Sequence, residues 1–224
     1  MQQRRFILGT FGAAALITLG AALAPAAYAQ SFPSKTIKFV VPFGPGSGTD
    51  TSARYFARKL QDLTGQAVVV ESKPGANGFI AVKQVLTAPA DGYTVFIGSN
   101  STLAVNAALF KELPYDPVSD FSPLTMMMRS PAMIAVMPKA PYNDLKGLLA
   151  YAKANPGKVN FGAGSAGYQL MGELLNDAAK VQTVHVPFKG AGETMTAVAS
   201  GTVDYAFAEG TAVQELAKGG RVKV

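Results

Sequence analysis

The chain has 224 residues, no cysteine and one histidine, so it lacks a disulfide framework, a thiolate nucleophile and the three or four ligands that a zinc site needs. Its formal charge of +6 is mild, and the lysines are scattered without interleaved aromatics, which argues against nucleic-acid binding. With 49% hydrophobic residues, the length allows one large or two small domains.

The amino terminus has the layout of a cleaved signal peptide. Arg4 and Arg5 precede an apolar run at 6–24, and an A-x-A cleavage site ends at Ala29. We expect residues 1–29 to be removed and the mature protein to be exported to the periplasm, by either the general or the twin-arginine route. A retained membrane anchor is the less favoured alternative. This segment holds no acidic residue, so losing its two arginines leaves a charge of +4.

Strand and helix patterns alternate along the first part of the mature chain. Short apolar runs predict strands, and apolar residues at three- and four-residue steps predict helices. Strands are predicted at 37–41, 67–71 and 94–98, with helices at 51–63, 78–87 and 102–109. This βαβαβ order is typical of a parallel sheet with helices on both faces.

A second alternating series follows Pro138. Helices are predicted at 143–155, 168–179, 191–200 and 211–218, and strands at 159–162, 184–187 and 203–207. The whole pattern therefore predicts mostly parallel sheets.

The segment between the two series, 115–137, is rich in proline and has no helical period. We interpret it as a crossing between domains. Its three consecutive methionines at 126–128 are expected to be strand residues buried between the domains, rather than a pliable apolar surface.

Loops of small residues follow the predicted strands, at 42–50, 73–78, 99–102, 162–167 and 189–192. In the first of them, Thr49 or Asp50 is placed to cap the helix that follows. Because bare N–H groups and a positive half-dipole meet at such a loop, it suits an anion. If two sheets face each other, these loops line one cleft. The alternative is that they are ordinary small, polar α/β loops.

Two nucleotide motifs are excluded by spacing. Gly44, Gly46 and Gly48 follow a strand, but they form G-x-G-x-G with Pro45 inside, rather than the dinucleotide-binding G-x-G-x-x-G. No glycine loop is followed by G-K-[ST], so a P-loop is absent. We expect no cofactor.

The strongest enzyme alternative is an exported serine hydrolase. Ser165 lies between a predicted strand and helix in a string close to the nucleophile elbow G-x-S-x-G, but the first glycine is missing. The only available base, His185, follows one helix later instead of late in the chain. We therefore favour a strand histidine satisfied by a neighbour and a hydrogen-bonding role for Ser165.

A set of strings spread in order over almost the whole mature chain gives a strong joint signal, although each string alone is weak. They are FPSK at 32–35, IKFVVPF at 37–43, VVE at 69–71, KPGA at 73–76, ADGYT at 90–94, LPYDP at 113–117, DFSP at 120–123, NFG at 160–162, HVPFKG at 185–190 and GTVD at 201–204. Together they resemble the periplasmic receptors of tripartite tricarboxylate transporters, the Bordetella uptake gene family.

The resemblance implies an α/β, two-lobed receptor of the type II periplasmic-binding-protein (Venus flytrap) kind, without catalysis. Such a receptor captures a small carboxylate and passes it to the membrane subunits of a tripartite tricarboxylate transporter. The implied division is lobe 1 at 30–125, a crossing at 126–137, lobe 2 at 138–221 and the start of a return strand at 222–224. We expect a monomer that holds no metal.

In the family that the chain resembles, loops of the first lobe hold the ligand carboxylate largely with backbone groups and ordered water, without an arginine clamp, and loops of the second lobe close over the far end of the ligand. The resemblance implies the first role for Phe43, Pro45, Gly46, Ser47, Gly48, Asp50, Ser99, Ser101 and Thr102, and the second for Gly164, Ser165, Ala166, Lys189, Gly190, Ala191 and Asp204.

Receptors of this family continue well past the position that matches Val224. We therefore expect a chain truncated at its carboxyl end, with a first lobe that lacks its completion and exposes apolar surface. A nonfunctional fragment of a receptor is an alternative.

Overall fold

The computed structural model describes residues 31–224, and the compact unit that carries the fold runs from Lys35 to Val224. The predicted signal peptide at 1–29 lies outside the described residues. Within 31–224, no helix combines the length and the apolar character that crossing a membrane requires.

The first sheet has three parallel strands in the order β2-β1-β3. They are β1 (Ile37–Val41), β2 (Val68–Ser72) and β3 (Thr94–Phe96), connected by α1 (Gly48–Thr64) and α2 (Phe79–Leu86). A π-helical turn at Ser101–Val105 and the short α3 (Asn106–Leu109) follow. Ile37 lies opposite Val68, and Lys38 lies opposite Thr94. Because the strands run in one direction, the loops that follow them share one edge of the sheet.

The second sheet has four strands in the order β4-β7-β5-β6. They are β4 (Ala132–Val136), β5 (Val159–Ala163), β6 (Thr183–Pro187) and β7 (Tyr205–Glu209), with helices α4 (Leu145–Ala154), α5 (Ala166–Ala179), α6 (Ala191–Ala199) and α7 (Gly210–Lys218). Strand β4 is antiparallel to β7, and the other pairs are parallel. Lys223 adds an isolated antiparallel bridge to Val136.

The predicted elements agree with the structure to within a few residues, and the mostly parallel α/β architecture is confirmed. Helix α1 begins three residues earlier than predicted, because Ser47 caps it by accepting a hydrogen bond from the Asp50 N–H at 3.2 Å. The predicted helix at 102–109 is instead the π-helical turn followed by α3.

The prediction for the three methionines is wrong. Residues 126–128 belong to no strand, and Met126 and Met128 are 65% and 40% exposed. Only Met127 packs, against the core of the first sheet. Strand β4 begins after Pro131, which has no N–H to donate to a ladder.

Large apolar side chains are exposed beside the first sheet. Tyr55 and Leu63 on α1, with Val118 and Leu124 in the segment after α3, are between 60% and 85% exposed. Large apolar side chains are exposed beside the second sheet as well, among them Leu145 at 48% and Leu174 at 57%.

The core of the second sheet is built around the ring of Phe161 on β5. This ring is fully buried, with its centroid 5.2 Å from that of His185 and 5.7 Å from that of Tyr205. Gly172 on α5 lies against it, since a Cβ at this position would be 2.1 Å from Cε2 of Phe161. The glycine therefore allows the middle of α5 to approach the sheet closely.

Gly172→Ala is expected to lower the free energy of unfolding by about 1–3 kcal/mol, because the buried Phe161 ring has no room to move away. The matched control is Gly192→Ala on α6, where a Cβ would meet nothing within 4 Å. Chemical denaturation of both variants measures the difference. Equal stabilities would contradict the close approach of α5.

Candidate functional site

A cleft of about 360 Å³ lies where the loops of the two sheets meet. It is lined by Pro42, Phe43, Gly75, Ala76, Asn77, Gly78 and Ser101 from the first sheet's side, and by Gly164, Ser165, Ala166, Pro187, Phe188, Lys189 and Glu193 from the second sheet's side. These residues lie at the carboxyl ends of β1, β2, β3, β5 and β6, where parallel α/β sheets bind ligands. A second hollow beside α6 is a wide surface depression without residues of the first sheet.

The cleft brings together only part of the predicted ligand-binding set. Phe43, Ser101, Gly164, Ser165, Ala166 and Lys189 line it. The residues outside its lining are Pro45, Gly46, Ser47, Gly48, Asp50, Ser99, Thr102, Gly190, Ala191 and Asp204. Several of these have hydrogen-bonding roles within the protein.

The Asp50 carboxylate holds the loop 42–50 to the protein. It accepts hydrogen bonds from the Gly46 N–H at 3.0 Å, from the Ser72 hydroxyl at 2.8 Å and from two Arg54 nitrogens at 2.9 and 3.0 Å. The side chain is 3% exposed and lies in the first turn of α1, where the helix dipole favours a negative charge. A carboxylate of the protein itself therefore lies at the helix end where the sequence predicted an anion-binding loop.

These contacts also set the pKa of Asp50. Burial alone would raise the pKa, but the hydrogen bonds from Arg54, Gly46 and Ser72 stabilise the ionised carboxylate and bring its pKa below the ordinary value. Asp50 is thus held as an anion in the folded protein.

A second carboxylate packs against the same helix end. A Cβ on Gly48 would lie 3.1 Å from Cδ of Glu209, the last residue of β7. Burial raises the pKa of Tyr168 on α5, and the nearby Glu209 carboxylate raises it further. Glu209 thus lies between an element of the first sheet's side and one of the second's, and covers the amino end of α1.

One hydrogen bond joins the two walls of the cleft directly. The Gly167 N–H, in the first turn of α5, donates to the Ser101 hydroxyl oxygen at 3.0 Å. Ser101 is 3% exposed and lies in the π-helical turn, a local structure often found at functional sites.

The first turn of α5 leaves one donor for a ligand. Ser165 caps the helix, with its hydroxyl accepting from the Tyr168 N–H at 3.4 Å and its carbonyl from the Gln169 N–H at 3.0 Å. The Ala166 N–H has no partner among the residues that the structure describes. Since Ala166 lines the cleft at the positive end of α5, a carboxylate can bind there.

Close backbone contact joins the loops after β5 and β6. A Cβ on Gly164 would lie 2.5 Å from the carbonyl carbon of Gly190, so only glycine fits at position 164. Gly190 also ends the loop before α6 and accepts hydrogen bonds from the N–H and hydroxyl of Thr194, at 3.2 and 2.8 Å. These contacts hold the loop after β5 against the loop after β6 and the start of α6.

The charged side chains of the lining stand on its exposed rim. Lys189 and Glu193 are both exposed, and the Lys189 N–H donates to Oε2 of Glu193 at 3.2 Å. The mouth of the cleft therefore carries one cation and one anion.

Ser99, Thr102 and Asp204 act inside the protein. The Thr102 hydroxyl is fully buried, accepting from the Ser99 N–H at 3.0 Å and donating to the Ser99 carbonyl at 3.2 Å. Asp204 accepts from the Asn160 N–H at 2.7 Å. These bonds shape the π-helical turn and the start of β7, respectively.

Several lining residues were not predicted: the turn Gly75–Gly78, Pro187, Phe188 and Glu193. The turn belongs to a loop that the sequence analysis grouped with the others, but no residue of it was assigned a role. Two of its non-glycine residues, Ala76 and Asn77, have positive φ values of 45° and 52°. The string K-P-G-A-N-G is rich in turn residues and was the available signal.

The geometry does not support the hydrolase. The Ser165 hydroxyl caps α5, and Nε2 of His185 is buried without a hydrogen-bond partner among the described residues, so the two are not hydrogen-bonded to each other. Burial lowers the pKa of His185, although the negative charge of Glu173 has the opposite effect and raises it. The expected neighbour for this histidine is therefore missing at Nε2, and its ring packs against Phe161 instead.

Two α/β sheets whose strand-end loops share one cleft are the architecture of a periplasmic-type solute-binding protein. The chain belongs to the family described as "Tripartite tricarboxylate transporter family receptor", whose model matches residues 52–224. The resemblance stated from the sequence is thereby confirmed. The family consists of receptors, not enzymes.

Individual relatives agree with this assignment. BugT of Bordetella pertussis is 34% identical over 206 residues, covering 91% of this chain and 63% of the relative. A UPF0065 protein of the same organism is 34% identical over 203 residues, covering 89% of this chain and 62% of the relative. The chain thus spans less than two thirds of the length of these curated relatives.

Solved structures are similar over the same range. A Rhodopseudomonas palustris protein with adipate is 31% identical with a TM-score of 0.83, covering 86% of this chain and 65% of that one. MatC from the same organism, with bound malate, is 31% identical with a TM-score of 0.79, covering 86% and 66%. The periplasmic binding protein BugD is 29% identical with a TM-score of 0.75, covering 86% and 64%.

Ser101→Ala is expected to lower the free energy of unfolding by about 1–3 kcal/mol, because the buried Gly167 N–H loses its acceptor. The control is Ser130→Ala at an exposed position, expected within about 0.5 kcal/mol of the unmodified protein. Urea denaturation measures both. A Ser101 variant as stable as the control would show that this bond contributes little.

Asp50 gives stability a defined pH dependence. Its pKa is lower in the folded than in the unfolded chain, so its contribution is complete above about pH 5, about one unit above the unfolded pKa, and is lost as pH falls through the folded pKa. The stability gap between the unmodified protein and Asp50→Asn should therefore be constant above about pH 5 and shrink below about pH 4. Denaturation at a series of pH values measures the gap.

The matched control for this prediction is Asp62→Asn, an exposed aspartate on the same helix. It removes the same charge from α1 but none of the hydrogen bonds of Asp50, so at neutral pH its free energy of unfolding should stay within about 0.5 kcal/mol of that of the unmodified protein. A gap for Asp50→Asn that stays constant down to about pH 2 would contradict the assigned role of this carboxylate.

Proposed function

We propose that this chain is an extracytoplasmic receptor that binds a small dicarboxylate in the cleft between its two sheets. The observation that carries the proposal is the free Ala166 N–H at the positive end of α5, placed in a cleft whose lining also holds the Ser101 and Ser165 hydroxyls. A carboxylate suits this set because it only accepts hydrogen bonds and carries the charge that a helix amino end favours.

The rim favours a ligand with a second polar end. Lys189 can pair with a further carboxylate, while Glu193 excludes a large excess of negative charge beside it. The cleft volume, about 360 Å³, lies at the small end of typical ligand sites, which fits a short acid accompanied by water. The adipate and malate in the two Rhodopseudomonas palustris structures are such acids, and this supports the proposal.

The proposal extends to the place and the partner of the receptor. The predicted signal peptide at 1–29 and the periplasmic relatives support a periplasmic location. The family description supports delivery of the ligand to the membrane subunits of a tripartite tricarboxylate-type transporter. Phe43, Ser101, Gly164, Ser165, Ala166 and Lys189 are the proposed ligand-binding residues, joined by Asn77 and Glu193.

A thermal-shift screen with malate, succinate, adipate and citrate tests this function. A ligand that binds only the folded protein stabilises it by RT ln(1 + [L]/Kd), or about 2.7 kcal/mol at a hundredfold excess over Kd. We expect a shift with at least one dicarboxylate and none with its dimethyl ester, which lacks the charge. No shift with any acid would contradict the proposal.

The Lys189→Met variant tests the rim. Loss of the cation should weaken binding of the best dicarboxylate by about tenfold, while the unfolding temperature without ligand changes little. Lys153→Met, at an exposed position of α4 outside the cleft, is the control. Equal affinities of the two variants, measured by calorimetry, would remove Lys189 from the site.

A further inference from the structure

The first sheet's wall of the cleft is built from two separate pieces of chain. One piece is the turn Gly75–Gly78 after β2, and the other is the π-helical turn after β3, which contributes Ser101. The two pieces are distant in sequence, so local chain geometry does not fix the position of Asn77 relative to Ser101. A ligand that contacts both pieces needs that relation to be set in advance.

The turn Gly75–Gly78 is conformationally unfavourable on its own. Ala76 and Asn77 are consecutive non-glycine residues with positive φ, at 45° and 52°, and both are exposed. Such conformations cost free energy and persist only where the surroundings enforce them. The structure must therefore contain contacts that hold this turn.

Asn106, a buried residue outside the cleft lining, supplies one of these contacts. Its Nδ2 donates to the Asn77 carbonyl at 2.9 Å and to the Tyr115 hydroxyl oxygen at 3.1 Å. Asn106 is fully buried and lies outside the cleft lining. The amide orientation follows from chemistry, because the Asn77 carbonyl can only accept.

Tyr115 continues the chain of hydrogen bonds to the second piece. Its hydroxyl donates to the carbonyl of Thr102, the residue after Ser101. Its ring is 6% exposed and lies edge-on to Phe79, the residue after Gly78, with the ring centroids 5.9 Å apart. A chain of hydrogen bonds thus joins the two pieces of the wall through buried side chains, and it runs from Asn77 through Asn106 and Tyr115 to Thr102.

Direct packing reinforces this connection. A Cβ on Gly78 would lie 2.5 Å from Cγ2 of Thr102 and 3.1 Å from Cβ of Pro42. Gly78 therefore packs against both the π-helical turn and the residue that follows β1. Loss of the hydrogen bonds would leave this packing as the remaining restraint on Asn77.

We propose that Asn106 and Tyr115 are positioning residues of the cleft. They hold the left-handed turn at Asn77 at a fixed position relative to Ser101, so that the first wall is preorganised for the ligand. This inference rests on the proposed function for the identity of the ligand. The hydrogen-bonded connection between the two pieces of the wall does not depend on that function. The pair touches no ligand and acts through Asn77 and Ser101.

Tyr115→Phe is the central test, since it removes the hydroxyl and keeps the ring. Tyr142→Phe is the matched control, because Tyr142 is also a buried tyrosine and its hydroxyl has no hydrogen-bond partner among the described residues. Amide hydrogen exchange of the full chain, without ligand, is measured for both variants. Malate, succinate and adipate are then titrated by calorimetry.

We expect Tyr115→Phe to increase exchange by about tenfold or more at residues 75–80 and 99–105, and to leave residues 164–170 unchanged. Binding of the acid that the unmodified protein prefers should weaken by about tenfold. Tyr142→Phe should alter neither. Exchange that rises evenly over the whole chain, or local exchange that does not rise, would overturn the proposal.

Ala76→Gly in the Tyr115→Phe background gives an independent check. Glycine adopts positive φ without strain, so it should restore protection at 75–80 if the lost hydroxyl acted by holding this turn. Failure to restore it would overturn the proposal. If none of the three acids binds the unmodified protein, the proposed function fails, while the exchange results still decide the role of Asn106 and Tyr115.

Discussion

The cleft depends on how the unpaired N–H groups at the amino ends of α1 and α5 are satisfied, since the first turn of any helix leaves donors without internal partners. At α1, Ser47 accepts a hydrogen bond from the Asp50 N–H, and the side chain of Glu209 packs against Gly48 at the helix end. At α5 the donors are divided between Ser165, Ser101 and the cleft. Two helix ends that look alike in the sequence thus differ in their surroundings: Glu209 covers the end of α1, whereas Ala166 at the end of α5 lines the cleft.

Much of this arrangement can be predicted from the sequence. Alternating strand and helix patterns imply parallel strands, and parallel strands bring the loops that follow them to one edge. The approximate place of the cleft follows from that geometry alone, and so do the positions of Ser165 and Lys189 at the ends of β5 and β6. Local rules suffice here because each loop lies directly after its own strand.

The remainder depends on contacts between distant residues. Asp50 is turned inward by Ser72, which is 22 positions away, and Glu209 reaches Gly48 from the other sheet. The left-handed turn at Ala76 and Asn77 exists because buried groups enforce it, against the preference of these residues. The methionines at 126–128 were misjudged for a related reason: hydrophobicity predicts burial only where a neighbouring element is available to cover the side chain.

The second wall of the cleft has two parts that differ in how freely they can accept new side chains. Position 164 accepts no side chain, because its Cβ would collide with backbone. Lys189 and Glu193 project from the same wall into open space at the rim, where new side chains meet few steric limits. In a protein built in this way, substitutions at the rim can change the charge at the mouth of the cleft while the backbone contact between the two loops stays as it is.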